Sequence, residues 1–412
     1  MPLRLTDTVS FPVESFAAAV TYCGSMHFSR NFILGFLTFF SFLLAFFALA
    51  PALPVYLALL GTNAEAIGLL VGIFSVSSLF SRFLAGSALR RYSEKSLIMF
   101  SSLLFAITFL GCTLLRPFWP FLAVRLVQGV TYAFLDTAVF AWLFKVTPPA
   151  HRGRLLGYFM LAPGLAMVMA PSFGMFLANS FSFVILFLWC MGLSLCALLF
   201  SGRLKSGKIE KVAPVNRMLR NSFLERKIIA PGMVGFFYNF VLGSIMAFFP
   251  LYAIKCGVVN PGHFFSAAAA MTIAGRLLGG KILESWGNEK IIQVFSLASM
   301  VALLIVSSSR TLPMFIVAGA LWGAGGAFMF PVSMAYALDY AGSSAGTAVG
   351  TFRALMDLGL SLGPIVMGMI IPSIGYPPMF LFLAAICLVN LCYFQFYVRR
   401  RRNTHGIAAA AA

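Results

Sequence analysis

The stretch RFLAGSALRRYSEK, residues 82–95, closes a long apolar segment with a cluster of basic side chains. The stretch RLLGGKILESWGNEK, residues 276–290, has the same arrangement in the second half of the chain. Each follows an apolar run of about the 20 residues that a helix needs to cross a bilayer. Two similar loops at equivalent places indicate that the chain is a duplication of one membrane-embedded unit.

The composition of the whole chain is that of a membrane protein. Of the 412 residues, 61% are hydrophobic and 10% are charged, whereas soluble domains carry about 25% charged residues. Apolar runs of spanning length recur throughout the chain. We predict twelve spans near residues 31–60, 65–89, 96–115, 117–145, 154–178, 180–201, 228–256, 261–283, 289–307, 312–339, 346–372 and 376–398.

The net charge of +18 is distributed as a membrane topology requires. If the N-terminus is cytoplasmic, the loops on the other side hold only Arg116, Lys255 and Arg310 of the 29 Lys and Arg residues. Since cytoplasmic loops are enriched in Lys and Arg, we predict a bacterial inner-membrane protein with both termini in the cytoplasm. Attraction to anionic lipids on that face is a secondary effect, and no nucleic-acid partner is expected.

A basic segment separates two groups of six spans. Residues 202–227 contain no apolar run long enough to span a membrane. We therefore predict a cytoplasmic tail at 1–30, a six-helix bundle at 31–201, the basic linker at 202–227, a second six-helix bundle at 228–398 and a basic tail at 399–412. The linker is either a solvated segment along the lipid headgroups or a regulatory segment.

The two groups of spans repeat each other beyond the two basic loops. PVYLALLG from Pro54 matches PLYAIKCG from Pro250, and Pro171 matches Pro364 in the same order along the chain. Internal repeats are common in transporters, whose two halves move about a site that lies between them. The duplication therefore favours a transport function.

Three motifs resemble signatures of the major facilitator superfamily. Gly86 begins a loop similar to the family's G-x-x-x-D-R-x-G-R-R/K motif, and the second copy has Gly280 with Glu284 at the acidic position. RLVQGVTYA from Arg125 resembles the motif of span four, and GLAMVMAPSFG from Gly164 resembles that of drug/proton antiporters. The resemblance implies an all-α membrane fold of twelve helices in two pseudo-symmetric bundles. It also implies a secondary transporter, most similar to exporters.

In this family the loop after the second span is expected to latch the cytoplasmic side, because its carboxylate attracts cations and helix N-termini. Here Arg90 replaces the acid in the first copy, whereas Glu284 retains it in the second. The resemblance implies an asymmetric latch at Glu284, unless the basic residues only set the topology. The predicted gate residues are Gly86, Arg90, Arg91, Gly280, Glu284, Arg152 and Arg154.

Ionisable residues within spans are costly and are candidates for function. Asp357 lies four residues after Arg353, on one helical face, so we predict a local ion pair, with a direct transport role as the alternative. Arg82 and Arg276 lie toward the cytoplasmic ends of their spans, where a structural role is expected because their side chains can extend to the interface.

Asp136 lies near the middle of the fourth span, which lines the central cavity in this family. Burial favours the neutral form of a carboxyl group, so we predict proton coupling or cation binding at Asp136, with structural pairing as the alternative. Arg125 is three turns away, about 16 Å, and cannot pair with it directly. The predicted cavity residues are Asp136, Arg125, Gln128, Tyr132, Tyr238, Asn239, Trp322 and Tyr336.

The spans that should line the cavity are mostly apolar and aromatic, as in the Phe-rich segment 32–47. This fits a lipophilic or amphipathic substrate, although Phe side chains that face lipid explain the same pattern. We predict a monomeric antiporter that exports small amphipathic molecules in exchange for protons. The alternatives are a transporter of one metabolite (a metallophore, sugar or lipid) and a receptor or channel. We expect no enzyme activity, cofactor or metal.

Overall fold

The computed structural model of the chain describes residues 29–115, 118–147, 152–205, 226–278, 280–341 and 345–399. The described residues form helices joined by short loops, without a strand. A short helix, Arg152–Phe159, lies between the fourth and the fifth of the long helices. The twelve long helices are α1 (Arg30–Leu59), α2 (Ala64–Ala88), α3 (Glu94–Leu114), α4 (Phe118–Val146), α5 (Leu161–Ser180), α6 (Phe183–Gly202), α7 (Arg226–Lys255), α8 (Gly262–Leu278), α9 (Gly280–Ser308), α10 (Leu312–Ala341), α11 (Ala345–Ile374) and α12 (Tyr376–Tyr393).

Eleven helical segments in the described part of the chain are long and apolar enough to cross a membrane. The remaining helix, α8, has 17 residues and packs against α10 and α5. The all-α membrane fold predicted from the sequence is confirmed. The predicted tails and most of the predicted linker lie outside the described residues.

Polar residues at the loop ends start several helices. Ser29 accepts a hydrogen bond from the Phe32 N–H at 3.2 Å, and Asn63 accepts one from the Ala66 N–H at 2.9 Å. Ser93 caps α3 in the same way. Such side chains satisfy amide groups that have no partner within the first helical turn. The caps and short loops make sequential helices run antiparallel.

The backbone turns sharply inside α9, at Gly287 (φ 68°, ψ 155°). Glycine adopts a positive φ without the steric cost that a Cβ would bring. Residues 280–286 and 288–308 are therefore two helical pieces rather than one continuous helix. The break falls in the second copy of the basic loop, where the family motif has its second glycine.

The helices pack into two halves, α1–α6 and α7–α12. The contacts between the halves are made mainly by α2 with α11, α5 with α8 and α1 with α7. We call the side of the bundle at which α1 begins the tail side, and the opposite side the far side. On the far side, the Asn179 side-chain amide donates to Asn260 Oδ1 at 3.0 Å across the two halves.

Candidate functional site

Four ionisable side chains from α2, α4 and α11 meet in the interior of the protein. Arg82 Nη1 donates to Asp136 Oδ2 at 2.7 Å, and Arg82 Nη2 lies 2.8 Å from Asp357 Oδ2. Arg353 Nη1 donates to the same Asp136 oxygen at 3.3 Å. We call Arg82, Asp136, Arg353 and Asp357 the charge cluster. Its two positive and two negative groups make it formally neutral.

The members of the charge cluster differ in exposure. The Asp136 side chain is 5% exposed, whereas those of Arg82 and Arg353 are 23% and 26% exposed. The Arg353 guanidinium also lies 4.9 Å from the centre of the Phe140 ring, a favourable cation–π distance. A buried carboxylate is tolerated when cations and hydrogen bonds replace its hydration, and Asp136 has two guanidinium partners.

Two of the ion contacts join the halves of the protein. Arg82 of α2 contacts Asp357 of α11, and Arg353 of α11 contacts Asp136 of α4. The local Arg353–Asp357 pair predicted from sequence is thus replaced by two contacts between helices. Arg82 likewise points into the protein instead of extending to the interface. The reason is that α2 and α11 pack side by side, which places opposite charges within reach.

Tyr132 lies one turn before Asp136 on α4 and belongs to an aromatic cluster in the first half. Its ring centre is 4.9 Å from that of Phe46 and 5.5 Å from that of Phe74. Such aromatic surfaces bind apolar groups well. Tyr132 and Asp136 therefore lie one turn apart in one region of α4, and their role as cavity residues stays a prediction.

Arg125 and Gln128, by contrast, lie inside the first half. Arg125 is 5% exposed and donates to the Leu70 carbonyl at 2.9 Å and to Gln128 Oε1 at 2.7 Å. Gln128 is fully buried and donates to Thr108 Oγ1 at 3.1 Å. These contacts join α2, α3 and α4. The two residues therefore form an internal network and not the cavity wall expected from their helical face.

In the second half, the Tyr238 and Trp322 rings are stacked, with centres 5.8 Å apart and planes 4° apart. The other two predicted cavity residues are packed within this half. The Asn239 side chain donates to the Gly235 carbonyl of its own helix at 3.1 Å. Tyr336 is 1% exposed and packs on Phe394. Of these four residues, Tyr238 and Trp322 therefore pair with each other, in an arrangement comparable to the Tyr132 cluster.

The predicted gate is only partly covered by the structure. Arg90 and Arg91 are exposed on the tail side, and Arg90 donates to Ser87 at 3.3 Å. Gly86, in the same loop, is half-buried. The side chains of Arg152, Arg154 and Glu284 lie outside the described residues, and Gly280 is the first residue of α9. The loop instead adjoins a contact within the first half, where Lys145 and Glu94 are 3.1 Å apart.

Comparison with known proteins assigns the family. The model of the Major Facilitator Superfamily matches residues 35–308 and, in an overlapping second match, residues 262–411. The staphylopine export protein of Staphylococcus aureus is 26% identical over 382 residues, which cover 86% of this chain and 94% of that protein. The multidrug resistance protein MdtG of Escherichia coli is 27% identical over 399 residues, with 92% and 96% covered.

Solved structures show the same fold. A bacterial homologue of the human lysosomal transporter Spinster superimposes with a TM-score of 0.72 at 13% identity, covering 93% of this chain and 97% of that one. The human organic anion transporter MFSD10 superimposes with a TM-score of 0.64 at 18% identity, covering 89% and 99%. With the family match over most of its length, the chain belongs to the Major Facilitator Superfamily and is a membrane transporter.

Proposed function

We propose that the protein exports small amphipathic molecules across a bacterial inner membrane in exchange for protons, by alternating access of its two halves. The observation that carries this proposal is the charge cluster, which joins the halves through Arg82–Asp357 and Arg353–Asp136. Similarity to the staphylopine export protein and to MdtG supports the direction of transport.

Protonation of Asp136 would act on both guanidinium groups that share its Oδ2 atom. A neutral carboxyl group attracts Arg82 and Arg353 far less than a carboxylate does. Loss of one partner from a buried ion pair costs about 3–5 kcal/mol, which corresponds to more than a hundredfold in an equilibrium constant. The ion pairing that is lost when Asp136 binds a proton is therefore large enough to release α11 from α4 and to favour movement of the two halves.

The substrate would contact the aromatic clusters of the two halves. Phe46, Phe74 and Tyr132 form one cluster, and Tyr238 with Trp322 forms the other. Aromatic rings bind the apolar part of a ligand through area and stacking. This arrangement supports an amphipathic substrate better than a sugar, which would need more polar side chains.

Transport by proteoliposomes that carry a pH gradient tests the coupling. We expect Asp136→Asn to abolish gradient-driven accumulation of amphipathic fluorescent probes such as 1-pyrenebutyrate and its neutral amide, and to leave exchange without a gradient measurable. Glu94→Gln is the matched control, since Glu94 pairs with Lys145 within one half, and it should retain coupling. Full gradient-driven transport by Asp136→Asn would refute the coupling role.

A dedicated exporter of one metabolite is the second candidate, favoured by the similarity to the staphylopine export protein. Expression in a host that lacks its own efflux pumps separates the two candidates. A multidrug exporter should raise resistance to several unrelated compounds. A dedicated exporter should raise resistance to none of them and should release one compound into the medium.

We also propose the predicted topology, with both termini and the basic loops in the cytoplasm near anionic lipids. A reporter that is active only in the periplasm, fused after the last helix, should stay inactive. The latch at Glu284 remains a proposal of the same kind. Glu284→Gln should shift the ratio of inward-open to outward-open molecules, and an unchanged ratio would contradict it.

A further inference from the structure

The duplicated halves differ in the residue that lies opposite an intramembrane arginine. Arg276 of α8 is the counterpart of Arg82 of α2, which contacts Asp357 of α11. The offset that relates Pro171 to Pro364 relates Gly164 of α5 to Asp357. Arg82 of the first half therefore faces a carboxylate of the second half, Asp357. Arg276 of the second half faces Gly164 of the first half, which has no charged side chain.

The structure places Arg276 next to this glycine. Arg276 Nη1 lies 2.6 Å from the position that a Cβ at Gly164 would occupy, so only glycine leaves room for the guanidinium as it stands. Arg276 Nε donates to the Ala327 carbonyl at 3.5 Å. Ala327 lies near the middle of α10. The guanidinium is therefore held between α5 and α10 well inside the protein, and not at the interface where the sequence placed it.

Arg276 has no carboxylate partner among the described side chains, unlike the arginines of the charge cluster. In the charge cluster, two arginines face two aspartates. Arg125 is closed off within the first half and is satisfied by carbonyl and amide oxygens. Arg276 is half-buried, and among the described side chains no carboxylate lies within ion-pair distance of it. An unpaired cation at this depth is costly, and an acidic group on a ligand would remove that cost.

A second donor lies beside Arg276. The Tyr238 hydroxyl is 2.9 Å from the position of a Cβ at Gly326, the residue before Ala327. The structure shows no hydrogen bond from this hydroxyl to another described residue. Tyr238 also stacks on Trp322, one turn earlier on α10. A cation, a hydroxyl donor and an aromatic surface thus lie along the same short stretch of α10.

We propose that Arg276 binds the acidic group of the transported molecule, and that the substrates are amphipathic anions. A guanidinium binds carboxylate, sulfonate or phosphate groups through paired hydrogen bonds. Tyr238 supplies a further donor, and the aromatic pair contacts the apolar part of the molecule. This inference names the substrate class of the proposed transport and therefore rests on it.

Binding of three matched fluorescent probes to the purified protein tests the proposal. They are 1-pyrenebutyrate, its neutral amide and 1-pyrenebutylamine, which share one apolar body and differ in charge. We expect the wild-type protein to bind the carboxylate at least about tenfold more tightly than the amide, as charge-assisted hydrogen bonds imply. Arg276→Gln should abolish this preference, and Arg276→Lys should retain part of it.

Substitutions at Gly164 provide an independent test. Gly164→Asp restores the carboxylate of the other half and should pair with Arg276, because the flexible guanidinium can move away from the new side chain. It should therefore abolish the preference for the carboxylate probe. Gly164→Asn has the same size without the charge and should keep the preference within about threefold of wild type.

The outcomes separate this inference from the proposed function. A wild-type protein without a preference for the carboxylate, or an Arg276→Gln variant that keeps it, overturns the inference. If Arg276→Gln does not fold, the comparison of Gly164→Asp with Gly164→Asn is the deciding test. An equal preference for the carboxylate probe in these two variants overturns the inference as well. Proton coupling in Asp136→Asn is measured as gradient-driven transport of both the carboxylate and the neutral amide, whereas the role of Arg276 is measured as a difference in equilibrium binding, so either result can fail while the other holds.

Discussion

Replacement of Gly68 by alanine should open the far side of the protein without unfolding it. Gly68 of α2 lies against α11, where a Cβ would be 2.3 Å from the Pro364 carbonyl oxygen and 3.1 Å from the Gly368 Cα. Close carbon–oxygen contacts in proteins are about 3.3–3.6 Å. Both neighbours are backbone atoms, so no rotamer change can relieve the overlap. The two helices must separate by about 1 Å.

The Gly68→Ala substitution should destabilise only the conformation that is closed on the far side. Forcing an extra methyl group into a packed contact costs about 1–3 kcal/mol, here only when α2 and α11 touch on the far side. In a conformation that is open on that side the cost disappears. The equilibrium should therefore shift toward the open conformation by about 5- to 150-fold.

Disulfide formation between Asn179→Cys and Asn260→Cys measures this equilibrium. The two asparagines are hydrogen-bonded across the halves at 3.0 Å, so cysteines there should cross-link readily in an otherwise cysteine-free protein. Gly68→Ala should slow the cross-linking at least about fivefold. The thermal midpoint should change little, because the contacts within each half remain.

Two other glycines serve as controls for Gly68. Gly192 has no atom within 4 Å of its Cβ position, so Gly192→Ala should affect neither measurement. Gly129 packs within the first half, 2.2 Å from the Phe74 carbonyl oxygen, so Gly129→Ala should lower the thermal midpoint. Cross-linking of Gly68→Ala at the wild-type rate would refute the reasoning, as would a loss of stability equal to that of Gly129→Ala.

Three further predictions concern the polar interior. Gln128→Leu removes the acceptor for the buried Arg125 Nη1 and should lower the free energy of unfolding by about 1–3 kcal/mol, and an unchanged urea midpoint would contradict this. Gly287→Ala places a Cβ at φ 68° and ψ 155°, a backbone region that only glycine adopts readily, and should cost about 1–3 kcal/mol, seen as a lower thermal midpoint. Asp357→Asn removes one inter-half contact and should impair gradient-driven transport less than Asp136→Asn, and an equal loss would count against Asp136 as the main coupling residue.

The sequence was sufficient for the helices because their cause is local. Within lipid, the backbone must satisfy its own hydrogen bonds, so an apolar run of spanning length becomes a helix. The predicted first span, 31–60, is α1 (Arg30–Leu59), and the predicted third span, 96–115, is α3 (Glu94–Leu114). The duplication and the family motifs then indicated two halves and a transporter.

Helical periodicity places residues on a face but does not say which neighbour covers that face. Arg125 and Asp136 share a face of α4 in the sequence, yet Arg125 is enclosed by α2 and bonded to the Leu70 carbonyl. Asp136 faces α11 instead, where it meets Arg353. For the same reason, the sequence predicted that the side chains of Arg82 and Arg276 extend to the membrane–water interface, whereas in the structure both point into the protein.

By itself, the sequence determined the membrane location, the helical architecture, the two-fold repeat and the family. Only the tertiary structure decided the charge pairing, since Arg82 and Asp357 are 275 residues apart in the chain. An ion pair depends on which helices are adjacent and at what depth, and neither follows from local pattern. The same packing places Arg82 against Asp357, in a cluster that is neutral overall. It places Arg276 against Gly164, the residue that corresponds to Asp357 in the other half and carries no charge.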